Sequence, residues 1–352
     1  MSSQFPSSHF PSCTGIYPGI YPERHPDRLQ YLHGNGIIGQ LSGRLDENPL
    51  LPIIQEGIGI MMDLAPMDTA AWVESEIQRL VCESVQNRLN RHTDEPAFAR
   101  PLVGFSSGAD ALYTEYVAHI GEFYLKPLDI FRQAFPEQKG ISADELTVIS
   151  WILPSTSLTR QEHAAQDRYP ARRWAETRYF GEQFNEFLRH QVVELLSGAG
   201  IPAVAPVLAP FWRKIMDGER YAPCSNWSER HAAFAAGLGT FGLCDGLITA
   251  VGKAVRIGSV VARCAIPPTP RPYSDRHAYC LFYAHGTCGR CMGRCPVQAI
   301  GPSGHDKKRC MAYTEHAMHA YMKSNFGIET YACGLCQVDV PCMDHIPKPH
   351  EA

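Results

Sequence analysis

Residues 280–296 read CLFYAHGTCGRCMGRCP, followed by KKRCMAY at 307–313 and YACGLCQVDVPC at 331–342. Eight of the chain's thirteen cysteines lie in these segments. Crowded C-x2-C pairs suit chelation, because a tight turn presents both thiolates to one centre. Disulfides are disfavoured: the opening residues MSSQFPSSHF carry no apolar signal core, so an oxidising compartment is not indicated.

A four-iron cube needs four converging thiolates, and in two-cluster ferredoxins the cysteine followed by proline serves the other cluster. By that wiring Cys295, Cys310, Cys333 and Cys336 hold one [4Fe–4S] cluster, and Cys288, Cys291 and Cys342 supply three corners of the other. The strict repeat puts the remaining corner at His285. Cys280, five residues earlier, is the better thiolate donor and is expected to fill it. Two zinc sites use similar pairs, but the Cys295–Pro296 step and the isolated Cys310 favour iron–sulfur wiring.

The chain has 352 residues, 45% of them hydrophobic, which suffices for a sizeable core and more than one domain. The net charge is −4 and no long basic run occurs, which argues against a dedicated nucleic-acid binder. No stretch has the apolar length needed to span a bilayer, and neither export signal is seen, so a cytoplasmic location is expected. Residues 1–58 read as an extended arm, rich in Pro, Tyr, Ser and Gly in its first part, with Cys13 a bystander. The arm also suggests a homodimer.

Between residues 59 and 270 helical and strand patterns alternate, defining an α/β (α+β) core, followed by the cysteine module at 271–352. From Asp68 to Asn90, apolar Trp72, Ile77, Leu80, Val81 and Val85 share a helical face, with Cys82 expected to pack among them. Leu102–Ser106 and Leu146–Pro154 read as strands, the second buried on both faces. The intervening stretch reads as helix broken at Pro127. A long amphipathic helix follows to a stop at Gly198–Gly200, with a short strand at Ala203–Ala205.

The segment AAGLGTFGLCDGLI at 235–248 places Gly237, Gly239, Gly242 and Gly246 directly after a helix. Glycines at that density let the backbone approach a ligand or another segment closely. The order helix, glycines, strand is the reverse of the dinucleotide fingerprint. Taken with the downstream cysteines, the segment resembles the superfamily of epoxyqueuosine reductases and corrinoid-dependent reductive dehalogenases, over roughly residues 100–346 and most strongly from Glu229. There a helix with arginine and alanines leads into A-G-L-G-x-x-G, a leucine-isoleucine strand, a glycine and an R-x-G-x-V strand. This chain has Arg230, the turn at Ala236 to Gly242, Leu247-Ile248, Gly252 and Arg256-Ile257-Gly258. RYPARRWAETRYFGEQFNEFLRH (168–190), AVAPVLAPFW (203–212), SNWSERHAAFAAGLGTFGLCDGLIT (225–249) and CGLCQVDVPC (333–342) resemble a set of short, two-cluster members.

The resemblance implies a nitroreductase-like core with a ferredoxin-like module, and a cobalamin reduced one electron at a time through the clusters. Electrons would come from a donor such as ferredoxin or flavodoxin. It implies reductive cleavage of a carbon–heteroatom bond in a small molecule, with Arg230, Gly237, Gly239, Gly242, Arg256 and Gly258 toward the corrin. FMN is the alternative cofactor; an electron carrier without its own substrate, or a tRNA-directed epoxyqueuosine reductase, are the alternative functions. Three departures stand out. No carboxylate precedes Glu229 in YAPCSNWSER, Leu243-Cys244 replaces a Lys-Asn pair, and the helical-repeat tail that grips tRNA is missing after Cys342.

For the reacting centre, Arg178, Tyr179 and Glu182 on the long helix offer proton-transfer and orienting groups. An i, i+4 ion pair is the simpler reading of Arg178 and Glu182. Trp174, Trp212 and Trp227 read as core, Cys224, Cys244 and Cys264 as spectators, and His231 as structural.

Overall fold

The Asp68 carboxylate accepts from the Ala70 amide at 3.0 Å and caps α1 (Thr69–Glu83), whose first N–H groups have no partner within the helix. A computed structural model describes residues 68–219 and 221–351. The expected arm at 1–58, Cys13 included, lies outside the described residues. Val73, Ile77 and Val81 recur every fourth position and are fully buried, whereas Val85 is 68% exposed. The helix stops at Glu83, short of Asn90. Asn87 explains this: its Nδ2 donates to the Val81 carbonyl at 3.0 Å and to the Phe98 carbonyl at 2.9 Å, and its Oδ1 accepts from the Phe98 amide. Cys82, expected to pack, is exposed. It lies one position past the buried stripe, turned about 100° away from it.

β1 (Leu102–Ser107) is followed by α2 (Ala111–Ile120) and α3 (Pro127–Ala134). Pro127 begins the second helix, at a position where a missing N–H costs nothing. β2 (Thr147–Pro154) is buried along its whole length. Then come α4 (Ser157–Ala164), the 27-residue α5 (Arg172–Gly198), β3 (Ala203–Val204), β4 (Lys214–Ile215), β5 (Cys224–Ser225) and α6 (Glu229–Ala235). β6 (Gly239–Phe241), β7 (Leu247–Thr249) and β8 (Val255–Ala262) complete the core.

The main sheet has the order β1–β2–β8–β3 and is antiparallel throughout. Alternation along β2 divides its side chains between two apolar layers. Val148 and Ile152 belong to the layer of Tyr113, Phe131 and Trp227. Ile149, Trp151 and Leu153 belong to the other, with Ile77 of α1 and Phe184 and Leu188 of α5. Helices therefore cover both faces of the sheet, giving an α+β fold in which β2 is buried without being part of a parallel sheet.

The C-terminal part carries α7 (Leu281–His285), α8 (Arg290–Gly293), β9 (Ile300–Gly301) paired with β10 (Gly304–His305), α9 (Lys307–Tyr313) and α10 (His319–Phe326). The described residues belong to one compact unit. No helix among the described residues is long and apolar enough to cross a membrane.

His231 on α6 lies edge-on to Tyr116 at 4.7 Å, and its Nδ1 is 2.8 Å from Ser228 Oγ. Burial lowers its pKa from 6.5 to about 3, with Arg230 and Lys307 adding to the effect. Between those values the unfolded chain holds a proton that the folded chain lacks. Stability therefore falls as the pH drops through that window, by about 1.4 kcal/mol per unit at most. His231→Gln is expected to flatten the fall in urea midpoint between about pH 6 and 4; an unchanged slope would assign that fall to other groups.

Candidate metal centre

The glycine-rich segment, which the sequence predicts as a turn before a strand, is a β-hairpin, β6–β7. A Cβ on Gly239 would meet the Ile248 carbonyl oxygen at 2.3 Å, so only glycine lets the two strands lie this close. At the tip Gly242 N donates to Gly246 O at 2.8 Å, and Asp245 adopts a positive φ of 59°. The tip thereby presents Leu243 and Cys244 to the cysteine segment, where both are buried with Cys280 and Cys291.

The next turn, Thr249–Gly252, docks against the chain's final cysteine. Lys253 N donates to Cys342 O at 3.0 Å and Ala254 N to Met343 O at 3.3 Å. Gly252 has φ +78°, and a Cβ there would fall 2.2 Å from the Met343 oxygen.

Between the hairpin and the cysteine segment lies a small, partly open cavity lined by Cys280, Cys288, Cys291 and Cys342 together with Gly242 and Lys253. Cys280 and Cys291 are each 8% exposed. His285, at the other end of α7, is exposed. The remaining four cysteines lie on neighbouring segments. Burial raises the Cys333 thiol to about 11, and Cys310 and Cys295 act on it electrostatically from nearby. Cys295 Sγ accepts from Ala299 N at 3.2 Å. Gly334 seats the Cys333–Cys336 loop against α5, since a Cβ there would fall 2.3 Å from the Trp174 ring. Arg294 ties the same loop to the core, donating to Leu335 O at 3.3 Å and Gln166 O at 2.7 Å.

Two residues that the sequence reading did not assign to a site join these groups. Cys244 is buried, and hydrogen bonding with Cys291 and Cys336 holds its thiol well below the ordinary value, against burial and with help from Lys253. Lys253 is 3% exposed, and its Nζ lies 3.4 Å from Cys244 Sγ. The available signal was a lone lysine inside the otherwise apolar run LITAVGKAV at 247–255.

The residues expected at the reacting centre form an ion cluster. Glu182 is the hub, 3.0 Å from Arg256, 3.3 Å from Arg189 and 3.8 Å from Arg178. Despite burial, these arginines hold its carboxyl below the ordinary range. Ionised, it has no proton to give near neutral pH. Arg189 also pairs with Glu229 at 3.2 Å, and Glu229 accepts from the Ser259 hydroxyl. Burial pushes Glu229 upward in spite of Arg189. Tyr179 packs beside the Trp174 and Ala254 layer, and Arg230 is exposed on α6.

The glycines expected to approach a corrin serve other contacts. The Cβ side of Gly237 is filled by the Pro270 oxygen at 2.7 Å, that of Gly239 by Ile248, and that of Gly258 by the Trp151 ring at 2.4 Å. Gly242 lines the cysteine cavity instead. These positions form no open cradle for a corrin. The cysteine set, by contrast, suits iron in its chemistry: four soft sulfur donors line one mostly apolar cavity.

No protein-family model and no curated protein matches the chain. Solved structures do match. They include a selenomethionine-labelled epoxyqueuosine reductase, at 14% identity over 71% of this chain and 66% of that one, with a TM-score of 0.39. The epoxyqueuosine reductase from Bacillus subtilis matches at 16% identity over 71% of this chain and 65% of that one, with a TM-score of 0.36. The catabolic reductive dehalogenase NpRdhA matches at 14% identity over 77% of this chain and 36% of that one, with a TM-score of 0.41. The chain thus spans about two thirds of the length of these epoxyqueuosine reductases and about a third of the dehalogenase.

Proposed function

We propose that the chain is an iron–sulfur reductase whose two cysteine sets each hold a [4Fe–4S] cluster. Cys280, Cys288, Cys291 and Cys342 would hold one, and Cys295, Cys310, Cys333 and Cys336 the other. The observation that carries this reading is the cavity on which four cysteines open, three from residues 280–296 and one from 331–342. Among the described residues no three donors converge on a single ion position. The Cys295–Pro296 step and the isolated Cys310 favour iron–sulfur wiring over zinc.

When bound, such clusters exchange single electrons at potentials set by charge, hydrogen bonding and burial. The protein's own contribution is to line the cavity with apolar Leu243, Ile248 and Val340, and to bring Cys291 of one set and Cys336 of the other into the same buried cluster as Cys244. Arg178, Arg256 and Tyr179 are the groups proposed to orient a small-molecule substrate. Three arginines around two carboxylates leave one positive charge in surplus. A ferredoxin or flavodoxin donor, a cytoplasmic setting and a homodimer belong to the same reading, as does the division into a nitroreductase-like core at 59–270 and a ferredoxin-like module from 271.

The corrinoid implied by the sequence resemblance does not fit Gly237, Gly239 and Gly258, whose Cβ sides are filled by protein atoms. Those filled glycines favour a second reading, an iron–sulfur electron carrier without its own substrate. Anaerobic purification with metal analysis and paramagnetic resonance before and after dithionite tests both. About eight irons and matching sulfide per chain are expected. Cobalt near one per chain would restore the corrinoid; zinc, or no iron, would overturn the proposal.

A further inference from the structure

Lys253 places an ammonium where the fold otherwise gathers sulfur. It lines the same cavity as Cys280, Cys288, Cys291 and Cys342, and its Nζ reaches Cys244 Sγ at 3.4 Å. At 3% exposure it has left water, and a buried cation requires compensation from nearby anions or acceptors. Cys291 and Cys342 line the same cavity, and Cys336 packs with Cys244 in the same buried cluster, so its surroundings include sulfurs from both cysteine sets. The position is fixed by the backbone: the flanking amides of Lys253 and Ala254 are bonded to Cys342 and Met343, and Gly252 is pressed against Met343.

We propose that the Lys253 ammonium raises the reduction potential of the iron–sulfur cluster in the cysteine cavity, and that Cys244, the sulfur it touches, stays outside the ligand set. The inference rests on the reading that such a cluster fills the cavity. An added electron makes an already anionic cluster more negative, and a fixed cation a few ångströms away in a poorly screened interior offsets that cost. Arginine would preserve the charge, and methionine would preserve most of the volume while removing it. Cys244 keeps the ammonium hydrogen-bonded from the side facing the hairpin tip.

The test compares wild type, Lys253→Met, Lys253→Arg and Cys244→Ser, all prepared anaerobically. The readouts are iron content and the midpoint of the reduced-cluster resonance signal in a mediated redox titration. All four are expected to retain about eight irons. The Met variant is expected to fall by at least tenfold in its equilibrium constant for accepting an electron, about 59 mV for a one-electron couple. The Arg variant should lie within that interval of wild type. The proposal is overturned by a Met variant at wild-type potential, by iron lost from Met but kept in Arg, or by iron lost from the Cys244 variant. Wild type without iron would remove the underlying cluster reading as well, so the two failures are distinguishable.

Discussion

Cys280→Ser is expected to lower the iron content from about eight to about four per chain, whereas His285→Ala leaves it unchanged. Cys280 caps the start of α7 and its amide donates to His277 O at 2.8 Å, which fixes the backbone from which the thiol enters the cavity. His285 ends the same short helix and is exposed, about 7 Å farther along the axis at 1.5 Å per residue. A serine hydroxyl is a harder and far less acidic ligand than a thiol, so one substitution is expected to empty that corner. Iron and sulfide analysis reads the result directly. Loss of iron from the histidine variant with retention in the serine variant would reverse the ligand assignment.

Arg189→Met is expected to cost about 3–5 kcal/mol of folding stability, measured as a shift in urea midpoint. Arg189 is 2% exposed and donates through Nε to Glu229, through Nη1 to Glu182 and through Nη2 to the Ile257 carbonyl. Glu182 would keep Arg178 and Arg256, but Glu229 would lose its ion partner and retain only the Ser259 hydroxyl. An uncompensated buried carboxylate is the costly product, not the loss of three hydrogen bonds. Adding Glu229→Gln to the Met variant should recover part of the loss, because a neutral amide can still bond to Ser259. A single-variant loss below about 1 kcal/mol would mean that water reaches Glu229 and screens it.

What could be read from the sequence was what is encoded locally. The β2 run and the 27-residue α5 are long, strongly patterned segments, and both form where their patterns place them. The end of α1 was not legible, because the residue that ends it, Asn87, does so by bonding to Phe98, eleven positions away. The glycines of 237–246 signalled close approach but not its object. Gly239 faces Ile248 and Gly258 faces Trp151, contacts that depend on strand register, and register is a property of the folded sheet. Cys244 and Lys253 escaped for the same reason. The lone lysine in an apolar run signals burial but not its sulfur partners, which arrive from residues 280–342.

The junction between Gly252 and Met343 also sets an order of assembly. A ribosome that has delivered Cys280, Cys288 and Cys291 has still to produce Cys342, the wall that hydrogen-bonds to Lys253 and closes the cavity. Under the proposed reading the cavity is complete for a cluster only once Cys342 has been made, and a nascent chain stalled before that point would leave Cys280, Cys288 and Cys291 facing an open wall.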